Sequence, residues 1–227
     1  MSTKPRPRTT AAAAPAMGAK TSPGVDAAVD GRHAWRDRNL NAVVDALLDL
    51  FSEGNLRPGA DEIAARSGVS RRSVFRYFAD LDTLDRAAID RQQARVAHLI
   101  DLPDLGQGAF AERVERLTQQ RVRLFKAIAP VARVARLREP FEPVVAEDLL
   151  RNRRLFRRQV DQQFAPELDA LDRGRRSATL AAADVLCSFE SWDLLTRGHG
   201  LTPKQAGDAM SRGLTALLAP SGAARKK

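Results

Sequence analysis

An all-α fold is predicted for this chain, and three observations carry the prediction. From Trp35 onward apolar residues recur at three- and four-residue spacing, the period of a helix face. Helix-starting and helix-stopping residues (Ser, Thr, Asp, Gly, Pro) fall between those runs. No segment sustains the apolar/polar alternation of a half-buried strand. The expected architecture is an N-terminal three-helix module containing a helix-turn-helix, then a larger helical domain, about nine helices in all.

The elements follow in order. Leu40, Val43, Val44, Leu47, Leu48 and Phe51 share one face of a first helix, which Gly54 ends. Pro58 and Gly59 break the chain before a short helix over Ala60–Ser67 that points Ile63 and Ala64 inward. Gly68 and Val69 make a tight turn, and Ser70 caps a second short helix over Arg71–Phe78. Asp80 or Asp82 starts the next helix, with Leu81, Leu84 and Ala88 on one face, running to about Ile100. A long amphipathic segment covers Ala109–Ala129, Pro130 is expected to interrupt it, and a short helix reaches Arg138. Pro140 and Pro143 open a helix over Val144–Phe164, and Pro166 and Gly174 bound a short connection. Two helices close the chain, Arg176–Thr196 and Thr202–Leu218, separated by Gly198, His199 and Gly200.

Composition narrows the function classes. Lys plus Arg number 37 against 28 Asp plus Glu, a net charge of +9, and most of the cations are Arg. That excess favours polyanionic partners, and Arg suits bidentate contacts to phosphate and guanine. No run approaches about 18 consecutive apolar residues, so no membrane span is expected. Cys187 is alone, which excludes an internal disulfide and a four-thiolate metal site and fits a reducing cytoplasm. His33, His98 and His199 show no metal-ligand spacing. No Gly-rich phosphate loop, metal box or Ser-His-Asp spacing appears, so neither an enzyme nor a cofactor is expected. Residues 1–30, rich in Ala, Pro, Thr and Lys/Arg, read as a disordered basic arm that is either a solvated tail or a source of nonspecific phosphate attraction. Residues 221–227 read as a disordered tail.

The stretch from Asp61 to Leu84 carries the function. Two short helices meeting at a Gly turn have helix-turn-helix geometry. Gly68 can adopt the backbone angle other residues resist, Val69 plugs the space between the helices, and Val74 and Phe78 bury the second helix. Ser70, Arg71, Arg72, Ser73, Arg76 and Tyr77 are left outward, a set suited to a phosphate-lined groove. The alternative is a helical hairpin with a solvated arginine face.

In Ile63-Ala64, Gly68-Val69-Ser70, Val74-Phe75, Tyr77-Phe78 and Leu84, the segment resembles the DNA-binding module of TetR-type transcriptional regulators. Asn41–Glu53 is similar to that family's first helix, and Ser188-Phe189-Glu190-Ser191-Trp192 to a penultimate helix of some members. The resemblance implies that Arg71, Arg72 and Ser73 face base edges and that Tyr77 meets phosphate. It also implies departures. Phe75 stands where the family often has Tyr, Leu81 where it has a phosphate-gripping Lys, and Gly59 where a Thr caps the helix. The implied organisation is a DNA-binding domain over residues 31–90 and a ligand-binding and dimerisation domain over 91–220. The implied partners are double-stranded operator DNA, an unknown small-molecule effector and a second copy of the chain.

Two copies related by a twofold axis would read a palindrome. Ala181, Ala182, Ala183 and Cys187 on one closing helix, with Ala206, Met210, Gly213, Leu214 and Leu217 on the other, are the expected dimer surface, although the same faces could bury within one subunit. Leu117, Leu124, Phe125, Phe156, Val160, Phe189 and Trp192 are the expected lining of an apolar ligand cavity. Glu190 beside Trp192 could read a polar or cationic ligand or simply pack at the surface. Arg151, Arg153, Arg154, Arg157 and Arg158 form either a second nucleic-acid patch or a solvated face with acid partners within the chain. The competing function is a nonspecific or architectural DNA-binding protein without a ligand switch.

Overall fold

The computed structural model describes residues 24–219, with side chains from Ala34 onward. The elements are α1 (Gly24–Ser52), α2 (Ala60–Ser67), α3 (Arg71–Tyr77), α4 (Leu81–Ile100), α5 (Phe110–Arg138), α6 (Pro143–Gln163), α7 (Ala165–Leu168), α8 (Arg173–Leu186), α9 (Phe189–Asp193), a π-helical turn (Leu194–Gly198) and α10 (Pro203–Leu218). No strand occurs among the described residues. The chain divides at Arg38, and the described residues from Asn39 onward pack as one compact unit. Most of the expected arm, residues 1–23, and the expected tail lie outside the described residues. Residues 24–30, expected within the arm, belong to α1 instead. The sequence has no proline between Pro23 and Pro58, so nothing ends the helix early on that side.

The first core gathers α1 to α4. Val43, Val44, Leu47, Leu48 and Phe51 meet Ile63, Val69, Val74, Phe78, Leu84 and Ala88, and Val134 of α5 joins them. Each large side chain buried here stabilises the fold by about 1.5–3 kcal/mol before its ordering entropy is counted. Arg91 and Arg95 of α4 grip Asp45 of α1 at 2.9 and 2.7 Å, holding the two helices in register. Leu81 departs from expectation and is exposed. It is the first residue of α4, and a helical side chain leans toward the N-terminus, which carries this one past the edge of the core.

Pro130 does not interrupt α5, which runs unbroken to Arg138. Proline leaves the carbonyl four residues earlier without its donor. Pro130 and Lys126 are both exposed, so water can serve that carbonyl while Ala129, Ala132 and Val134 bury the opposite side. Gly174 lies inside the first turn of α8, because Asp172 accepts the Arg175 N–H at 3.0 Å and caps the helix earlier than expected. The expected continuous helix to Thr196 is broken after Leu186. Ser188 turns extended, and its Oγ accepts the Ser191 N–H at 3.1 Å to start α9. The π-helical turn then closes on a His199 N–H to Leu194 carbonyl bond of 3.0 Å.

Behind the first core, α5 packs on α4, α6 and α10, and α8 on α6 and α10. Gly207 permits the α5–α10 crossing, since a Cβ there would lie 2.9 Å from Val122 Cγ2. Arg121 of α5 is fully buried and is held by the Gln120 and Gln159 side-chain carbonyls rather than by a carboxylate. Burial lowers its guanidinium to about 10.

Candidate nucleic-acid interface and the cavity behind it

Local chemistry builds the α2–turn–α3 unit. Gly59 lacks a capping side chain, and its N–H donates to Glu62 Oε2 at 2.7 Å. Gly68 ends α2 at φ +69°, in the left-handed region that a Cβ disfavours. Ser70 Oγ then accepts the Ser73 N–H at 3.3 Å and starts α3. Arg66 donates to both oxygens of Glu53 at 2.8 and 2.9 Å, bracing α2 beside the end of α1.

Val74 and Phe78 are buried, which turns the remainder of α3 outward. Ser70, Arg71, Arg72 and Arg76 are exposed, and Ser73 and Tyr77 are half-buried. Arg72 makes no hydrogen bond or ion pair among the described residues. Arg71 pairs with Asp61 at 3.1 Å, an exposed contact. Arg76 Nη2 donates to Ser73 Oγ at 3.4 Å and to Tyr77 Oη at 3.3 Å, so these three form one polar row. Asn39 of α1 donates to the Tyr77 hydroxyl at 3.4 Å, which steadies the ring while its apolar body touches the core.

Phe75 was not among the expected site residues, yet it is 58% exposed, with the Arg71 guanidinium 5.8 Å from its ring centre. The signal was available in the spacing, because Val74 and Phe78 set the buried face of α3 and Phe75 is not on it. Asp80 caps α4, and hydrogen bonds from the Thr83 hydroxyl and N–H hold its carboxyl below the ordinary range. The resulting face offers guanidinium donors on a short protruding helix, suited to phosphate oxygens and base edges rather than to bond-making chemistry.

A cavity of about 480 Å³ lies behind this module. Its wall runs from Leu48 and Phe51 of α1 through Asp85 and Ala88 of α4 to Phe189 of α9. Of the expected lining, Leu124, Phe125, Phe156 and Phe189 are in the wall. Leu117 and Val160 are not; they bury in a separate core with Phe164, Leu168 and Leu214, on the side of α5 and α6 turned toward α8 and α10. Trp192 is also absent from the wall and packs against Phe125 and Phe189 at ring-centre separations of 6.1 and 5.8 Å. Glu190, expected beside the ligand, is in the wall, whereas Asp85 and Arg138 were not foreseen there, because Asp85 sits among buried apolar residues and its partner is far away in the chain. Glu190 and Asp193 pair with Arg136 and Arg133, each at 2.8 Å.

The expected dimer residues divide. Ala183, Cys187, Ala206, Met210 and Leu214 are buried within the chain, because α10 packs on α5 and α8, and α8 on α6 and α10. Burial pushes the Cys187 thiol up to about 12. Ala181, Ala182, Gly213 and Leu217, also expected there, instead line a shallow apolar surface groove with Val185 and Leu186, and Val185 is 63% exposed. In the arginine cluster, Arg151, Arg153 and Arg157 pair with Asp148, Glu139 and Asp184, which is the solvated-face alternative for those three. No cluster able to hold a metal ion and no helix long and apolar enough to cross a membrane is present among the described residues.

No family model matches the sequence, and no curated protein does. Solved structures do match. A TetR-family transcriptional regulator from Streptomyces coelicolor superimposes with a TM-score of 0.62 at 22% identity, covering 80% of each chain. A protein of Mesorhizobium loti assigned to the same family gives 0.56 at 16% identity, over 81% of this chain and 95% of that one. A Clostridium perfringens protein assigned as a fatty acid metabolism regulator gives 0.51 at 12% identity, over 78% and 96%.

Proposed function

From the fold this chain shares with TetR-family transcriptional regulators, we propose that it is a cytoplasmic, homodimeric DNA-binding regulator of that type. It represses from a palindromic operator and is released by a small molecule. The observation that carries the reading is α3 itself, anchored by Val74 and Phe78 while Arg71, Arg72 and Arg76 stand exposed. Residues 31–90 serve as the DNA-binding domain and 91–220 as the ligand-binding and dimerisation domain. One such module buries too little surface for tight specific binding, so two copies are required. The groove of Val185, Leu186, Gly213 and Leu217 is the seam, a relocation of the sequence expectation to the residues left at the surface.

Release follows from where the cavity lies. Leu48 and Phe51 belong to α1 and Asp85 and Ala88 to α4, so a molecule filling the cavity bears directly on helices that share a core with α3. Moving the protein from mostly bound to mostly free needs roughly 3–5 kcal/mol of differential affinity for the two conformations.

Selection of bound fragments from genomic DNA tests the reading, followed by competition of the recovered site against random duplex. A palindrome preferred by about a thousandfold or more supports specific regulation. Equal binding to both duplexes sinks it in favour of a nonspecific architectural role.

A further inference from the structure

Charge in the cavity wall is already neutralised from within the chain. Asp85 meets Arg138 at 2.7 Å. Glu190 meets Arg136 at 2.8 Å and Arg153 at 3.6 Å. Asp148 takes Arg151 at 2.6 Å, and Asp184 takes Arg157 at 3.5 Å. Arg138 and Arg153 each have a further acid, Glu142 at 3.7 Å and Glu139 at 2.6 Å. Between these pairs the wall is mainly apolar and aromatic; of its neutral polar side chains, Gln93 and Asn152 already bond Asp148, and Ser188 bonds Ser191. Phe125 meets Phe156 and Phe189 edge-on, at ring-centre separations of 6.4 and 5.6 Å. Gln92, also in the wall, makes no hydrogen bond among the described residues.

We infer that the cavity takes an uncharged, mainly apolar molecule with an aromatic body and a hydrogen-bonding group that engages Gln92. The inference rests on the reading of the cavity as an effector site and names the class of effector. An anion would have to draw Arg138 away from Asp85, a nearly buried pair, and leave that carboxylate short of its partner, or compete with Glu190 for Arg136. A cation meets the same obstacle at Asp85 or Asp148. A neutral aromatic molecule meets neither, gains apolar burial, and can place its ring edge-to-face with Phe125, Phe156 or Phe189. Buried Arg121 does not alter this balance, since it lies outside the wall with its guanidinium 4.5 Å from the Phe156 ring centre.

Two dyes with one aromatic body test the inference: neutral N-phenyl-1-naphthylamine and its anionic sulfonated relative, 8-anilinonaphthalene-1-sulfonate. Each is titrated into the full-length protein without DNA, followed by fluorescence. The neutral dye is expected to bind at least about tenfold more tightly. Ala132→Trp fills part of the wall and should weaken the neutral dye by about tenfold or more. Ala135→Leu, a smaller filling, is read in its place if circular dichroism shows the first variant unfolded. Glu190→Gln deprives Arg136 of its acid and should strengthen the anionic dye by about tenfold while moving the neutral dye by less than about threefold. Anionic dye bound as tightly as the neutral one by the unaltered protein overturns the inference, as does no binding of either dye or indifference of the neutral dye to a folded filling variant. If the neutral preference holds while operator affinity ignores the dye, the ligand class stands and release by ligand fails.

Discussion

Arg138 of α5 donates through both terminal nitrogens to the two carboxylate oxygens of Asp85 of α4, at 3.0 and 2.7 Å. Both side chains are nearly buried, and both stand in the cavity wall. The same guanidinium lies 4.8 Å from the centre of the Phe51 ring on α1. One residue at the end of the long central helix therefore touches two of the helices, α1 and α4, that share a core with α3. Removing only the acid strands a buried cation. Asp85→Asn is expected to destabilise the fold by about 2–4 kcal/mol, with Glu142 at 3.7 Å moderating the loss. The double change Asp85→Leu with Arg138→Met should recover most of it, as read from urea unfolding midpoints. A double variant no more stable than Asp85→Asn would show that the site depends on charge rather than on its neutralisation.

Arg72 and Tyr77 should fail in different ways. Arg72→Ala is expected to relax base preference at one operator position, with a loss of about 1–3 kcal/mol at the cognate base. Tyr77→Phe should weaken binding evenly across sequences. Competition against single-base operator variants separates the two, and equal loss at cognate and random duplex for Arg72→Ala removes it from base reading.

Asp61 partly masks the interface by holding Arg71 at 3.1 Å. Exposed pairs of this kind contribute about 0–1 kcal/mol, so Asp61→Ala should leave stability nearly unchanged. Freed of that carboxylate, Arg71 should raise affinity for any duplex severalfold at low salt, with the gain fading as salt rises. Unchanged binding at low salt would mean that Arg71 does not approach phosphate.

Gly207 sets the spacing of α5 and α10. A methyl group there would stand 2.9 Å from Val122 Cγ2, too close without movement. Gly207→Ala is expected to destabilise by about 1–2 kcal/mol despite its better helix propensity, and Val122→Ala in the same chain should relieve the clash. Denaturant unfolding of the single and double variants measures the coupling. Additive losses would place the strain elsewhere.

Asp148 carries a pH signature. Burial raises its carboxyl above the ordinary value, more than the Arg151 charge and hydrogen bonds from Arg151, Gln93 and Asn152 lower it. The folded protein therefore holds the proton more tightly than the unfolded chain. This contribution to stability is complete below the unfolded value and is lost as pH rises through the folded one. Asp148→Asn should flatten that part of the stability curve, as measured by urea midpoints from acid to neutral pH. An unchanged slope would assign the dependence to another group.

Much of this was legible in one dimension because it depends on neighbours in sequence. The Leu40–Phe51 stripe, the Gly68 turn, the Ser70 cap and the Val74–Phe78 anchor are local instructions, and each appears where its spacing indicated. Helix breaks were less legible. Pro130 reads as a stop, but water can serve the carbonyl it orphans; Ser188 reads as helix interior, but its hydroxyl competes for a backbone N–H.

By itself the sequence determined the helical class, the turn between α2 and α3, and which side of α3 is bare, since apolar periodicity and capping act over only a few residues. Tertiary structure alone decided which apolar faces of α5, α8 and α10 bury inside the subunit and which remain as a surface groove. It also decided that the Asp85–Arg138 pair stands in the cavity wall beside the core that α1 and α4 share with α3. Those outcomes depend on residues far apart in the chain competing for the same space and the same counter-charge, and no local pattern records who wins.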